Sequence, residues 1–263
     1  MTSRTLVFVH AHPDDEALLT AGTMARAARE GHRVVLVVAT NGEAGLTSSA
    51  FAPDLGSTRQ TELAASASAL GVARTVMLDY PDSGLHGENP DGFCHVGRFT
   101  IGRRIAEVCA EEGADVLVGY DPSGGYGHPD HVQVHRSVRT AQTLCPTPPR
   151  LFEATLPREP IARAARAAAL SRLTPAGFDP AEFATAWTPS RDITHRVDVR
   201  GVMSSKTAAL RAHASQAAAD GTTRTLAVLT RLPAPVRSLV LGTEFYVAVP
   251  AAATASSTSV GES

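Results

Sequence analysis

The chain has 263 residues, 43% of them hydrophobic and 19% charged, enough to bury a real core as one large domain or two small ones. A formal net charge of −2 gives no reason to expect nucleic acid or an anionic membrane as a partner. Three scattered cysteines without a CxxC pair argue against a disulfide scaffold and a thiolate zinc site, and no apolar run reaches the ~18 residues of a membrane span.

"TLVFVH" (5–10) is a short apolar run that ends in acids, so it reads as a buried strand, and the acids come too soon for a signal-peptide core. A cytoplasmic location is the expectation. Leu18, Ala21, Ala25 and Ala28 recur at helical spacing, which predicts a helix over 15–30 with Gly31 as its C-cap. "RVVLVVAT" (33–40) is β-branched and continuous, as in a parallel strand covered on both faces. Ser57 and Gln60 offer a capping box for a helix over 57–71. A strand at 74–80, a helix at 96–113 and a strand at 114–121 follow.

The second half is less regular. A strand is expected in "PRLFEATLP", a helix over 161–173, a loop with a short helix over 174–192, a strand at 195–199, a helix over 202–217 and a last strand at 243–249. Strands alternating with helices indicate an α/β fold with a mainly parallel sheet. Residues 1–250 are expected to form one domain, and the tail 251–263, which lacks a core-forming pattern, to be disordered.

Two clusters interrupt this pattern: His12-Pro13-Asp14-Asp15-Glu16 and His128-Pro129-Asp130-His131. Both follow predicted strands, and in open parallel sheets ligands bind at the carboxyl ends of strands. The loops after the first and fourth strands are therefore expected to face one crevice. A His/Asp/His set suits zinc or another divalent first-row metal, and His12, Asp15 and His131 are the expected ligands. Asp14 is then expected as the general base toward a metal-bound water, whose pKa falls from about 16 to roughly 7. His128 is read as oxyanion stabiliser or general acid, Asp130 as a partner that hydrogen-bonds His128 and keeps it protonated, and Tyr126 as a further donor. Gly124 and Gly125 read as a tight backbone turn rather than a phosphate loop.

Each residue also has a plainer reading. A lone histidine is most often a surface or satisfied core residue, and His32, His86, His95, His135 and His195 are read so; His10 is left outside the ligand set. Asp14 or Asp15 alone can serve as a helix cap, and Glu16 as a first-turn helix acid. Glu43 and Asp82 are each either a substrate contact or a turn residue, and Arg59 either a substrate contact or a solvated charge. His213 is a buried helical histidine or part of the pocket wall. Two His-Pro-Asp clusters, both after strands, favour the metal reading.

"AHPDDE" (11–16) together with "GHPDH" (127–131) resembles the signature pair of the PIG-L/LmbE-like family of zinc-dependent N-acetylglucosamine deacetylases, and "KTAALRAHASQ" (206–216) matches a further Lys, His and Ser-Gln of that family. The resemblance covers about the first 140 residues. It implies a Rossmann-like three-layer α/β sandwich, His12, Asp15 and His131 as zinc ligands, Asp14 as base, His128 as second catalytic residue, Asp130 as its orienting partner and Tyr126 as the tyrosine of some members. "YDPSGGYGHPDHV" and "DSGL" (82–85) resemble the mycothiol-pathway branch, whose members deacetylate an N-acetylglucosaminyl inositol. The resemblance therefore places Asp82 and Leu85 at the sugar and gives Arg59 a substrate contact. The segment 41–95 reads as shorter than in that branch.

The expectation is thus a metal-dependent hydrolase that removes the N-acetyl group of an N-acetylglucosaminyl substrate. Zinc is the expected cofactor, with iron(II) the other candidate, and a small amino sugar the expected partner. An amidase acting on a larger acyl group or a thiol conjugate is the alternative enzyme. A non-catalytic sugar- or metal-binding module is the alternative from another class, for which Asp14 and His128 would be superfluous.

Overall fold

The structure is a computed structural model, and it describes residues 2–43, 55–170, 179–217 and 225–250. Its elements run in the order β1 (Thr5–His10), α1 (Asp15–Leu19), α2 (Ala21–Arg29), β2 (Arg33–Thr40), α3 (Leu55–Leu70), β3 (Arg74–Tyr80), α4 (Arg98–Glu112) and β4 (Val116–Tyr120). There follow a single turn α5 (Gly124–Gly127), α6 (Pro129–Leu144), β5 (Arg150–Thr155), α7 (Arg158–Leu170), β6 (His195–Asp198), α8 (Met203–Ala212), α9 (Ala214–Ala217), α10 (Thr225–Arg231), α11 (Ala234–Leu241) and β7 (Thr243–Ala248).

The seven strands form one sheet in the order β3-β2-β1-β4-β5-β7-β6. Strands β1 to β5 pair in parallel, while β7 runs antiparallel to both β5 and β6. The period of two in the strands divides the core. Val7, Val9, Val35 and Val37 face one helical layer, where Ile101 and Ile105 of α4 meet Val134 and Val138 of α6. Phe8, Val34, Leu36 and Val38 face the other, with Met24 of α2, Leu63 of α3 and Leu210 of α8. The result is a Rossmann-like three-layer α/β sandwich, as expected.

The strand order also locates a crevice. From β1 the chain moves outward to β2 and β3, then returns to β4 on the opposite side of β1. The loops leaving β1 and β4 therefore diverge, and an open α/β sheet binds its ligand at such a switch point.

Several boundaries differ from expectation. The helix expected over 15–30 breaks at Thr20, whose hydroxyl is drawn to His10 Nε2 at 2.8 Å. The helix expected from Ser57 already runs from Leu55, so Ser57 lies inside its first turn rather than capping it. The helix expected over 161–173 starts earlier, at Arg158. The helix expected over 202–217 is interrupted at His213, which turns toward Glu16 at 2.6 Å. The pattern gave no warning of α10 and α11. Within the expected loop 174–192, a short 3₁₀ turn forms at Glu182–Ala184; the expected tail 251–263 lies outside the described residues.

Candidate active site

The two His-Pro-Asp clusters meet at the carboxyl ends of β1 and β4, more than a hundred residues apart in sequence. Asp14 occupies the N-cap position of α1 with φ 114° and ψ −26°, a left-handed conformation. Such a backbone is worth about 1–3 kcal/mol of strain in a residue with a Cβ. Its side chain makes no capping hydrogen bond, so the plain capping role does not describe it. His128 caps α6 instead, its Nδ1 accepting the Asp130 N–H at 3.2 Å, and Pro129 takes the first helical position.

At the centre lies His12. Its Nε2 is 3.1 Å from Asp130 Oδ2 and 3.7 Å from Asp82 Oδ1, and its Nδ1 is 3.4 Å from Asp15 Oδ2. Asp15 also reaches His131, with Oδ1 3.3 Å from Nε2. The His128 ring lies 4.7 Å from the His12 ring and 4.9 Å from that of His131. Tyr126, half exposed, sits at the rim with its ring 5.2 Å from His131.

The donor set fits a cation. His131 Nδ1 donates to the Gly124 carbonyl at 3.2 Å, which leaves Nε2 to face the site. That atom is buried without a hydrogen-bond partner and faces a carboxylate oxygen at 3.3 Å. A positive centre at that point, a proton or a metal ion, would join the two. Among the described residues, two groups of three bring donor atoms within 4.8 Å of one another: His12, His128 and His131, and His12, Asp82 and Asp130. The expected set of His12, Asp15 and His131 is neither of these. Asp15 Oδ2 is drawn aside by the Tyr120 hydroxyl at 2.7 Å and the His12 N–H at 2.9 Å, while Oδ1 keeps its approach to His131.

The same geometry sets protonation. Burial opposes charge on His12, but the bonds to Asp130 and Asp15 and the field of Asp82 outweigh it and lift His12 to about 10. Burial raises Asp15, yet His131 and His12 prevail and hold it well below the usual carboxylate range. Burial also pushes Asp14 up to about 6, with Arg59 pulling down and Asp15 pushing further up. His128 falls to about 3, chiefly by burial and then by repulsion from His12 and His131. Asp130 was expected to keep His128 protonated. Its carboxylate instead faces His12 and the Ser83 N–H, and only its backbone reaches the His128 ring. His128 is therefore neutral, with its proton on Nε2.

The other expected contacts are dispersed. Arg59 is buried, and its Nη1 and Nη2 donate to the carbonyls of Gly42 and Pro13 and to Asp14 Oδ1. It holds the loops of β1 and β2 and does not reach outward as a substrate contact would. Asp82 is buried and closes a turn by accepting the Gly84 N–H at 2.9 Å, while presenting Oδ1 to His12. Glu43 is exposed and accepts the Asp82 N–H at 3.3 Å; Leu85 is 52% exposed.

Three participants escaped the sequence reading. Tyr120, fully buried, donates to Asp15, accepts the Ala11 N–H at 3.1 Å and stacks on His131 with centroids 4.3 Å apart. Its signal was its place at the end of a strand, as the first residue of "YDPSGGYGHPDHV". His10 bonds that phenol and Thr20. Glu16 is not a solvated helix acid: it is fully buried, accepts from Ser66 and His213 at 2.6 Å each, and is held at about 2 by His213 and Ser66 against the opposing effect of burial.

Fold and site together define a Rossmann-like α/β protein with a buried histidine–carboxylate cluster at the switch point of its sheet. The profile of the PIG-L family, GlcNAc-PI de-N-acetylase, matches residues 7–142. The 1D-myo-inositol 2-acetamido-2-deoxy-alpha-D-glucopyranoside deacetylase of Acidothermus cellulolyticus is 38% identical over 237 residues, covering 83% of this chain and 81% of its own. The chain belongs to the PIG-L family. Among solved structures, the N,N'-diacetylchitobiose deacetylase from Pyrococcus horikoshii aligns over 94% of this chain and 84% of its own, with TM-score 0.59 and 20% identity. The 4-carboxy-2-hydroxymuconate hydratase from Pseudomonas putida KT2440 aligns over 95% of this chain and 98% of its own, with TM-score 0.58 and 18% identity. At that distance the likeness establishes the fold alone, and a reaction must be argued from the site.

Proposed function

We propose that this protein hydrolyses the acetamide of an N-acetylglucosaminyl substrate, with an inositol aglycone the leading candidate. The 38% identity to a protein named as such a deacetylase supports the substrate class. The observation that carries the chemistry is Asp14, tuned to about 6 and next to Asp15, whose carboxylate faces the buried His131 Nε2 at 3.3 Å. His12, Asp15 and His131, paired through Asp15 at 3.4 and 3.3 Å, would hold a divalent cation, zinc or iron(II), which would displace the second proton of His12. When bound, such an ion supplies Lewis acidity, lowering the pKa of water and polarising a carbonyl.

Asp14 takes the proton from the attacking water as its oxygen bonds to the acetamide carbon. The C–N bond then breaks, and Asp14 returns that proton to the departing amine, so that water and amide become acetate and a free amino sugar. His128, neutral and carrying its proton on Nε2, donates a hydrogen bond to the developing oxyanion. Tyr126, its ring 5.2 Å from that of His131, adds a second donor in this reading. Asp130 fixes His12 through Nε2. Asp82, Glu43 and Leu85 border the sugar side of the crevice, whereas Arg59 serves Asp14.

The test is acetate release from N-acetylglucosaminyl inositol by the purified, zinc-loaded protein, run beside substrates with longer acyl groups and thiol-conjugate amides. Asp14→Ala is expected to lose at least about 10²-fold in kcat while retaining the metal. Full activity in that variant would remove the base assignment, and preference for a longer acyl group would shift the reading to a broader amidase.

A further inference from the structure

The left-handed conformation of Asp14 raises the question of what holds it. The Pro13–Asp14 peptide is trans, so its carbonyl and N–H point in opposite directions. Each is gripped by a buried charged side chain of opposite sign. Arg59 Nη2 donates to the Pro13 carbonyl at 2.5 Å, and Glu16 Oε2 accepts the Asp14 N–H at 3.0 Å. The same Nη2 lies 3.3 Å from Asp14 Oδ1, so peptide orientation and carboxylate position are coupled. Glu16 is itself fixed through Oε1 by Ser66 Oγ and His213 Nε2, both at 2.6 Å.

Helix α3 is the frame for both halves. Arg59 and Ser66 stand seven residues apart on it, on one face, and both are buried. Between them Glu62 accepts the Ser215 N–H and hydroxyl at 2.8 and 2.6 Å, anchoring the segment that carries His213. Turning the peptide over would relieve φ at Asp14. It would also set the Pro13 carbonyl against the Glu16 carboxylate, the N–H against Arg59, and free the guanidinium from Asp14.

We infer that Arg59, Glu16, Ser66 and His213 act as positioning residues, a clamp that holds the Pro13–Asp14 peptide in the one orientation that presents the Asp14 carboxylate to the site. His213 lies beyond the matched family segment of residues 7–142, so the clamp enlists the second half of the chain. This inference rests on the proposed role of Asp14 as base.

Glu16→Gln tests it at constant shape. All three partners of Glu16 donate, so an amide must turn its NH₂ toward at least one donor. In the zinc-loaded variant kcat is expected to fall about 10²-fold with KM and zinc content unchanged, the signature of a displaced group rather than a lost site. A crystal structure of the variant is expected to show Asp14 outside the left-handed region and its bond to Arg59 broken. Ser66→Ala, which spares the ion pair, is expected to show a smaller loss in kcat alone, and it decides the matter if Glu16→Gln does not fold. Wild-type kcat in the folded variants, or an unchanged Asp14 conformation, overturns the clamp. The crystallographic arm needs no substrate: wild-type protein inactive on N-acetylglucosaminides would sink the proposed reaction while the clamp is still judged by the backbone.

Discussion

At the scale of single residues, Asp14 and Tyr120 carry the sharpest expectations. A base must be ionised to accept a proton, and burial holds Asp14 near 6. Its activity is therefore lost as pH falls through that value and is complete above it. A bound cation draws the carboxylate lower, so the acid limb of kcat/KM is expected at or below about pH 6, measured from pH 4 to 8. His128, lowered to about 3, is neutral across that range and adds no second limb there. Tyr120 donates to Asp15 and stacks on His131, so it orients two expected ligands at once. Tyr120→Phe keeps the stacked ring and removes the donor. It is expected to weaken zinc binding by about 10–100-fold in chelator competition, and an unchanged affinity would mean that Asp15 needs no second support.

At the scale of elements, the turn α5 decides whether His128 and His131 face β1. It doubles back at Gly125, with φ 69° and ψ −103° inside a nominal helix, and the Gly125 carbonyl accepts the Trp187 N–H at 2.8 Å. A Cβ at Gly125 would lie 2.6 Å from the Trp187 ring. Gly125→Ala is therefore expected to destabilise by about 2 kcal/mol or more, through both conformation and overpacking. The chain has a single tryptophan, so its fluorescence reports this contact directly. A red-shifted emission and a lowered Tm are expected; unchanged emission would show that the turn yields elsewhere. The reading of "GG" as a tight turn was legible because glycine is the residue for such a backbone. The helix break at His213 was not, because nothing local opposes a helix there: the pull comes from Glu16, 197 residues away.

At the scale of the whole molecule, the antiparallel end of the sheet is tied to the first half through Glu244, which a buried ion pair holds in place. Lys206 Nζ on α8 lies 2.5 Å from Glu244 Oε1 on β7. Glu244 also accepts the N–H groups of Gly22 and Thr23 at 2.8 Å each, in the first turn of α2. A carboxylate from the far end of the chain thus caps a helix beside the site. Lys206→Met leaves that charge buried and uncompensated, and is expected to cost about 3–5 kcal/mol. By melting, that is a fall in Tm of roughly 6–20 °C for a chain of this size. Lys206→Met/Glu244→Gln is expected to recover part of the loss; a double variant no better than the single would mean that packing, not charge, is at stake.

What the sequence determined by itself was local and periodic. The alternation of apolar runs with helical spacing specified the parallel strands, because side-chain period follows from backbone geometry alone. The two His-Pro-Asp stretches marked the loops after β1 and β4, because such residues at strand ends are unfavourable without a task. The tertiary structure decided which atoms meet. Asp130 turned from His128 to His12 because His128 was claimed by the first turn of α6. Arg59 was turned from the crevice to the back of Asp14 by two carbonyls on different loops. Tyr120 and Glu16, unremarkable in sequence, became central because the sheet order brings β4 beside β1 and α3 across α1. These are long-range pairings between buried polar groups, which must find partners once water is excluded, and no periodicity along the chain encodes which partner that will be.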